Sequence, residues 1–226
     1  KATVRVNIVD SIKGSFHHNV PGFANEAYEL YITRNEVEIR AITQIGVIRA
    51  AQTIQQMAEG YTAKAKLEAV NIVDWPAFAV RGLMHDVGRS FIPFDELKRE
   101  IDLLARFKLS VFHWHLTEHL AWRMEVEKFP QLTQGKYMIR DTAQYYTRLQ
   151  CRELEAYAAQ RGITVIPEID MPGHSDAFRR AMGMDMQSDE GIDSLKVIID
   201  EVVEKAKKCL CGIASRQALP QPKYVI

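Results

Sequence analysis

Two short stretches hold most of the side chains in this sequence that are capable of chemistry. One is "HWHLTEH", His113 to His119, and the other is "EIDMPGH", Glu168 to His174. His113 and His115 are two residues apart, so on a strand both side chains point to one face. With Glu118, Asp170 and His174 they can complete a metal site, the basis of a metal-dependent hydrolase; equally, they can fill a polar layer and hydrogen-bond to neighbours. Glu168 and Asp170 share a face in the same way, and the Pro172-Gly173 turn brings His174 back over the end of that strand. A histidine held by a carboxylate can orient a second carboxylate and set its protonation, which is a relay rather than a nucleophilic triad. The alternative is a turn whose polar groups satisfy one another.

Arg81 lies inside an apolar run, "FAVRGLMHDV". A buried guanidinium needs partners, and its fork suits vicinal sugar hydroxyls as well as a carboxylate. Trp75, Trp114 and Trp122 can stack on a sugar ring or belong to the core. There is no Gly-rich phosphate loop, no G-x-S-x-G elbow and no H-E-x-x-H pair, so nucleotide binding, serine hydrolysis and metalloprotease chemistry have no positive support.

The elements around these residues alternate. "FAVRGLMHDV", "LSVFHWHL" and "ITVIPEID" read as strands. A helix with Asp95 as its N-cap runs to about Lys108 and turns Leu97, Ile101 and Leu104 to one side. A long polar connection runs from Thr117 to Asp141, and the next helix, ending at Arg161 before Gly162, points Leu149, Leu154 and Tyr157 inward. A third, opened by Ser188 or Asp189, carries Leu195, Ile198, Ile199 and Val202 as its stripe. This rhythm predicts a parallel sheet with helices outside it, and in such folds chemistry sits beyond the C-terminal strand ends. The polar residues fall there: His85-Asp86 with Arg89 shortly after, then the 115–118 stretch, then Glu168, Asp170 and His174. Before Trp75-Pro76 the pattern differs. "EAYELYIT" and "VEIRAI" alternate as half-buried strands, Gln44 to Glu59 has helical spacing with Gly60 placed to end it, and "AVNIVD" is a further short strand, together a small α+β layer.

Composition excludes some partners. The 226 residues carry 29 basic and 29 acidic side chains, interspersed, so no net field attracts a nucleic acid or an anionic membrane. No apolar run approaches the roughly 18–20 residues of a membrane span, and "KATVRVNIVD" is not the apolar core of a signal peptide. Cys151, Cys209 and Cys211 make neither a disulfide framework nor a four-ligand zinc site.

The R-G-x-M-x-D strand at Arg81 to Asp86, the H-x-H-L-T strand at His113 to Thr117 and the E-I-D-M-P-G-H turn together resemble glycoside hydrolase family 20, the β-N-acetylhexosaminidases, and among them the bacterial members. The resemblance runs from about Val73 to about Glu204, with residues 1–72 similar to the α+β domain that precedes the barrel in this family. It implies an α/β fold, an incomplete TIM (β/α)8-type barrel of about three strand-helix units behind that small layer domain. It also implies removal of terminal β-linked N-acetylglucosamine or N-acetylgalactosamine, with the substrate's own acetamide oxygen attacking the anomeric carbon. Arg81 would then grip sugar hydroxyls, His174 and Glu118 would form the relay behind the general acid, and Asp170 would buttress it. The partners implied are N-acetylhexosamine-containing glycans, in a periplasmic or secreted setting, with no cofactor and no metal.

Two departures matter. "TEHLAWR" stands where "TDDQGWR" is common, so Glu118 replaces the first acid and His119 the second. No stretch resembles "HIGGDE", which carries the family's catalytic Asp-Glu pair; Asp189-Glu190 reads as charge at a helix start. A closed barrel takes eight strands and roughly 250 residues, more than follow Val73, and residues 205–226 form an atypical tail after a 73–204 partial barrel. The expectation is therefore an inactive chain that retains part of the sugar site and self-associates through exposed sheet edges. A non-catalytic carbohydrate-binding module is the alternative.

Overall fold

The computed structural model describes residues 3–14, 21–59 and 67–213. It divides into two units, Lys1–Arg81 with Asp102–Ser110, and Gly82–Ile101 with Val111–Ile226. Gly60, the expected helix stop, lies outside the described residues, as do the side chains of Cys209 and Cys211 and the end of the tail.

The first unit is a four-stranded mixed sheet. β1 (Thr3–Ile8), β2 (Tyr28–Ile32), β3 (Glu36–Ala41) and β4 (Val70–Asp74) lie in the order β1-β3-β2-β4, with β1 parallel to β3 and the other pairs antiparallel. A short helix α1 (Pro21–Glu26) precedes β2, and α2 (Gln44–Ala58) follows β3. Thr43 caps α2 by accepting from the Ile45 and Gly46 amides at 3.1 and 3.4 Å, the usual way to satisfy a helix's first donors. The alternating residues Tyr28, Leu30, Ile32, Ile39 and Ala41 are buried, and Val47 and Ile54 of α2 pack against them. Gly46 is needed where α2 meets the chain before β2, because a Cβ there would come within 2.5 Å of the Ala27 carbonyl oxygen.

β2 is not half-buried, because its other face is covered too. Glu29 is 1 % exposed and accepts from the Lys13 amide at 2.6 Å and the Tyr31 hydroxyl at 2.8 Å.

A buried charge cluster closes this unit. The Glu26 carboxylate accepts from Arg49 Nε at 2.5 Å and from both terminal nitrogens of Arg81 at 2.5 and 3.2 Å. Arg81 also donates to the carbonyls of Phe78 at 2.8 Å and Lys108 at 2.6 Å, and Arg49 to that of Leu109 at 3.2 Å. One carboxylate thus ties α1, α2, the residue before the next strand and the 108–109 turn together.

The second unit holds a parallel three-stranded sheet, β5 (Gly82–Asp86), β6 (Val111–His115) and β7 (Thr164–Glu168), in the order β5-β6-β7. α3 (Phe94–Arg106) leads from β5 to β6, α4 (Arg148–Ala159) from β6 to β7, and α5 (Asp176–Met182) and α6 (Asp189–Ile213) follow β7. The fold is mixed α/β, as the alternation predicts, and Asp189 and Glu190 fall in the first turn of α6, where negative charge complements the helix dipole. Leu97 and Ile101 of α3, Phe112 and Trp114 of β6, Leu154 and Ala158 of α4, and Ile198 of α6 are all buried. α4 opens with a capping box between Thr147 and Gln150.

Two sequence expectations fail here. Leu149 is 73 % exposed: it sits five residues before buried Leu154, about 140° round the helix, and so faces away from the sheet. The 117–141 connection is not a polar surface loop. Ala121, Trp122, Arg123, Val126 and Leu132 are buried within it, and the Arg123 guanidinium donates to the carbonyls of Val87, Asp141, Gln144 and Arg140 at 2.8–3.1 Å. A buried cation satisfied by four backbone oxygens ties the segment together around two short 3-10 helices, Pro130–Thr133 and Gly135–Tyr137. Trp114 and Trp122 are 1 % exposed and Trp75 packs beside Ile12 and Ala27, so these rings serve as core.

Replacing Glu26 by Ala leaves two arginines without their shared counter-charge. Loss of one partner from a buried ion pair costs about 3–5 kcal/mol, and urea unfolding should show a destabilisation of that order, far beyond the effect of an exposed Glu96→Ala change.

Candidate functional site

The three parallel strands of the second unit end side by side, and each hands its chain to a turn carrying polar residues. From β5 come Asp86 and the Val87-Gly88-Arg89 turn, from β6 Thr117, Glu118 and His119, and from β7 Asp170 and His174. The ladder continues into these turns, with the Val87 amide donating to the His115 carbonyl at 3.1 Å and the Leu116 amide to the Glu168 carbonyl at 3.2 Å. Gly88 lets the first turn lie against the second: a Cβ there would stand 2.7 Å from that of Glu118.

Glu118 is the centre. Its side chain is fully buried, and its Oε1 meets both Arg89 and His174 Nδ1. Its Oε2 accepts from the His119 amide at 2.6 Å and also meets His119 Nδ1. Burial pushes the carboxyl upward, but the His119 amide and the charges of His174, Arg89 and His119 outweigh it and hold Glu118 below its ordinary 4.5. Asp86 shows the same balance, with burial opposed by hydrogen bonds from the Arg89 amide and guanidinium. Asp170 is fixed by its own amide, which donates to buried Thr117 Oγ1 at 3.0 Å, and its carboxylate lies 3.9 Å from His174 Nε2. His174 itself has a φ of 50°, a left-handed conformation that costs a non-glycine residue about 1 kcal/mol; contact with Glu118 gives it a reason to persist.

His113 and His115 are used differently. Both imidazoles lie against one oxygen of Glu168, at 2.6 and 2.9 Å, so the strand pair forms a polar layer around that carboxylate. Among the described residues, nitrogen and oxygen atoms lie within 4.8 Å of one another in three groups: Glu118, His119 and His174; Asp86, His115 and Glu118; and His115, Glu168 and Asp170. Glu168 already serves two imidazoles there, and the neighbouring Glu118 and Asp86 carry the Arg89 guanidinium, which repels a second cation.

The structure therefore brings Glu118, His174 and Asp170 together and leaves Arg81 out. Arg81 precedes the first residue of β5, at the strand's N-terminal end, and its guanidinium is taken by Glu26 and two carbonyls. Arg89, by contrast, has a side chain that is 49 % exposed and follows β5 at its C-terminal end, where Asp86 places an acceptor next to its donors. The signal for Arg89 was its position three residues after a strand-ending acid. His119 was read only as a departure, and its sequence position gave no hint that it would share the Glu118 carboxylate.

The model of glycosyl hydrolase family 20, domain 2, matches residues 2–75, and that of the family's catalytic domain matches residues 78–215. The chain belongs to glycosyl hydrolase family 20. It is 38 % identical over 176 residues to a β-hexosaminidase of Vibrio furnissii, covering 72 % of this chain and 29 % of that one. It is 40 % identical over 164 residues to a β-hexosaminidase of Porphyromonas gingivalis, covering 67 % of this chain and 21 % of the relative. Among solved structures, a β-N-acetylhexosaminidase from Bacteroides fragilis superposes with a TM-score of 0.78 at 29 % identity, over 89 % of this chain and 43 % of that one. An exo-β-N-acetylglucosaminidase from Vibrio harveyi, in complex with N-acetylglucosamine, gives 0.72 at 28 % identity, over 82 % and 35 %. This family 20 chain thus spans about a third or less of the curated relatives named, and the strand ends that hold its polar cluster lie within the matched catalytic domain.

Because the pKa of Glu118 is lower in the folded than in the unfolded chain, its contribution to stability is complete above the unfolded value and disappears as pH falls through the folded one. Glu118→Gln should be less stable than the unmodified chain near neutrality, by about 1.5–3 kcal/mol for hydrogen bonds to a charged group. It should also lose less stability on acidification from about pH 6 to about pH 3. Urea midpoints across that range check this; parallel curves for the two proteins would contradict it.

Proposed function

We propose that this chain carries the hydroxyl-binding and relay portion of a site for a terminal β-linked N-acetylhexosamine. The observation that carries the reading is the half-exposed Arg89 guanidinium, seated between Asp86 and Glu118 beyond the strand ends of a family 20 chain. A guanidinium fork beside a carboxylate offers donors and an acceptor to two adjacent hydroxyls, which is what a non-reducing terminal sugar presents. His174, held by Glu118, supports a general acid from the side away from the sugar. In the whole reaction that acid protonates the glycosidic oxygen while the substrate's acetamide oxygen attacks the anomeric carbon, and water then opens the cyclic intermediate.

The acid and its acetamide-orienting neighbour are absent from the 226 residues, since no "HIGGDE"-like stretch occurs. This chain on its own accordingly holds sugar weakly and does not hydrolyse it. With a nitrophenyl β-N-acetylglucosaminide, nitrophenol release should not exceed the uncatalysed rate; turnover abolished by His174→Ala would overturn this part of the reading. Self-association goes with the same picture. β5 pairs only with β6 among the described strands, and its Leu83 and Met84 are 40 % and 55 % exposed.

Arg89 and Arg81 separate binding from folding. In calorimetric or NMR titration with N-acetylglucosamine, Arg89→Ala should weaken binding about ten-fold or more, the loss of roughly 1.4 kcal/mol or more, with the fold intact. Arg81→Ala should lower stability instead. If Arg81→Ala abolished binding in a folded chain while Arg89→Ala did not, the assignment would be reversed.

A further inference from the structure

β1 is an edge strand with one open side. Among the described strands it pairs only with β3, in parallel. The Thr3 amide donates to the Asn35 carbonyl at 2.8 Å and the Val9 amide to the Ala41 carbonyl at 2.9 Å. Backbone groups alternate sides along a strand, so those of Thr3, Arg5, Asn7 and Val9 turn to β3 and those of Val4, Val6 and Ile8 to the open edge. The side chains of the same three residues form an apolar row. Val4, Val6 and Ile8 stand beside Val37, Ile39 and Ala41 of β3, of which Ile39 and Ala41 are buried in the core that α2 covers, yet they are themselves 65 %, 51 % and 53 % exposed. The usual guards of such an edge are missing from β1. Its six residues, "TVRVNI", include no proline and no lysine, its register is unbroken by a bulge, and its one charge, Arg5, lies on the opposite face, paired with Glu36 at 2.8 Å.

We propose that this edge pairs with β1 of a second copy of the chain, antiparallel and centred on Val6, so that the two four-stranded sheets join across a two-fold axis. In that register β1 is complementary to itself. Val6 faces Val6 of the second copy and Val4 faces its Ile8, which continues the apolar row with β-branched residues, and the backbone groups turned to the open edge are the ones that an antiparallel ladder bonds. On the other face Arg5 meets Asn7 of the second copy, which is held by its own Glu38 at 2.9 Å. No like charges oppose each other. Centring on Arg5 instead would set two guanidinium groups against each other at the narrow spacing of the ladder, about 4.5 Å between Cα atoms. Centring on Asn7 would set Val4 against Asp10, and a slip of one residue would turn the apolar row to the polar face. The contact is the same patch on both copies, so it uses up both β1 edges and closes at two.

The contact lies in the first unit and needs neither the sugar site nor the β5 edge, so it stands or falls apart from the reading above. Sedimentation equilibrium of the full 226-residue chain carrying Met84→Lys, which places a charge on the β5 edge, should still show a dimer. Adding Val6→Lys should raise the dimer dissociation constant about ten-fold or more, with the circular dichroism unchanged because that side chain is half in solvent. Val4→Lys combined with Ile8→Lys should abolish the dimer. Val4→Lys combined with Ile8→Glu should restore it, since the Val6-centred register sets each introduced lysine opposite an introduced glutamate of the other copy. A Met84→Lys chain that is monomeric would assign self-association to β5 and overturn the proposal. A Val6→Lys chain that dimerises as before would do the same, and so would a Val4→Lys, Ile8→Glu chain as monomeric as its two-lysine counterpart.

Discussion

A carboxylate with no exposure to solvent has to be compensated from within the protein, and Glu118 imposes that demand on the catalytic unit. Removing a charge from water costs several kcal/mol unless charged or hydrogen-bonding partners replace the hydration shell. The partners come from three separate segments: Arg89 from the turn after β5, His119 from the chain itself, and His174 from the turn after β7. Those segments lie at the C-terminal ends of three neighbouring parallel strands, so satisfying one anion fixes the mutual placement of all three turns. Gly88 is part of the same constraint, since its missing side chain is the space that Glu118 occupies.

The molecule uses the same device twice more with different outcomes. Glu26 compensates Arg49 and Arg81 inside the N-terminal unit and anchors segments that carry no chemistry. Arg123 reverses the sign: a buried cation is surrounded by backbone carbonyls, and it ties together a long connection whose only helices are two short 3-10 turns among the described residues. Arg89, by contrast, pairs with the buried Glu118 while its side chain remains half in solvent. Of these four arginines, Arg49, Arg81 and Arg123 hold the fold, and exposure at the strand ends sets Arg89 apart.

Much of the fold was legible because helices and strands leave different periods in the hydrophobic pattern. The three β/α units and the placement of Asp189-Glu190 on a helix rather than after a strand follow from it. β1 was not read as a strand although Val4, Val6 and Ile8 alternate; all its residues are exposed, so the pattern reflects pairing with β3 rather than burial. Leu149 was assigned inward with Leu154 and Tyr157, whereas the buried face of α4 is set by Leu154 and Ala158. The packed interior of the 117–147 segment could not be seen at all, since its order comes from Arg123 contacting carbonyls that are spread over more than fifty residues.

The sequence by itself determined the family-specific strand ends, the α/β alternation and the set of polar residues that had to gather beyond the strands, because strand direction and side-chain alternation are local properties of the chain. It could not decide which arginine faces the site. Arg81 and Arg89 are both near β5, but one precedes the strand and the other follows it, and only the folded chain shows that Glu26 takes up the first. Nor could it decide that His113 and His115 share Glu168 while His119 and His174 share Glu118. Those pairings depend on distances of a few ångströms between turns far apart in sequence, and electrostatic partnership is set by such distances rather than by residue type.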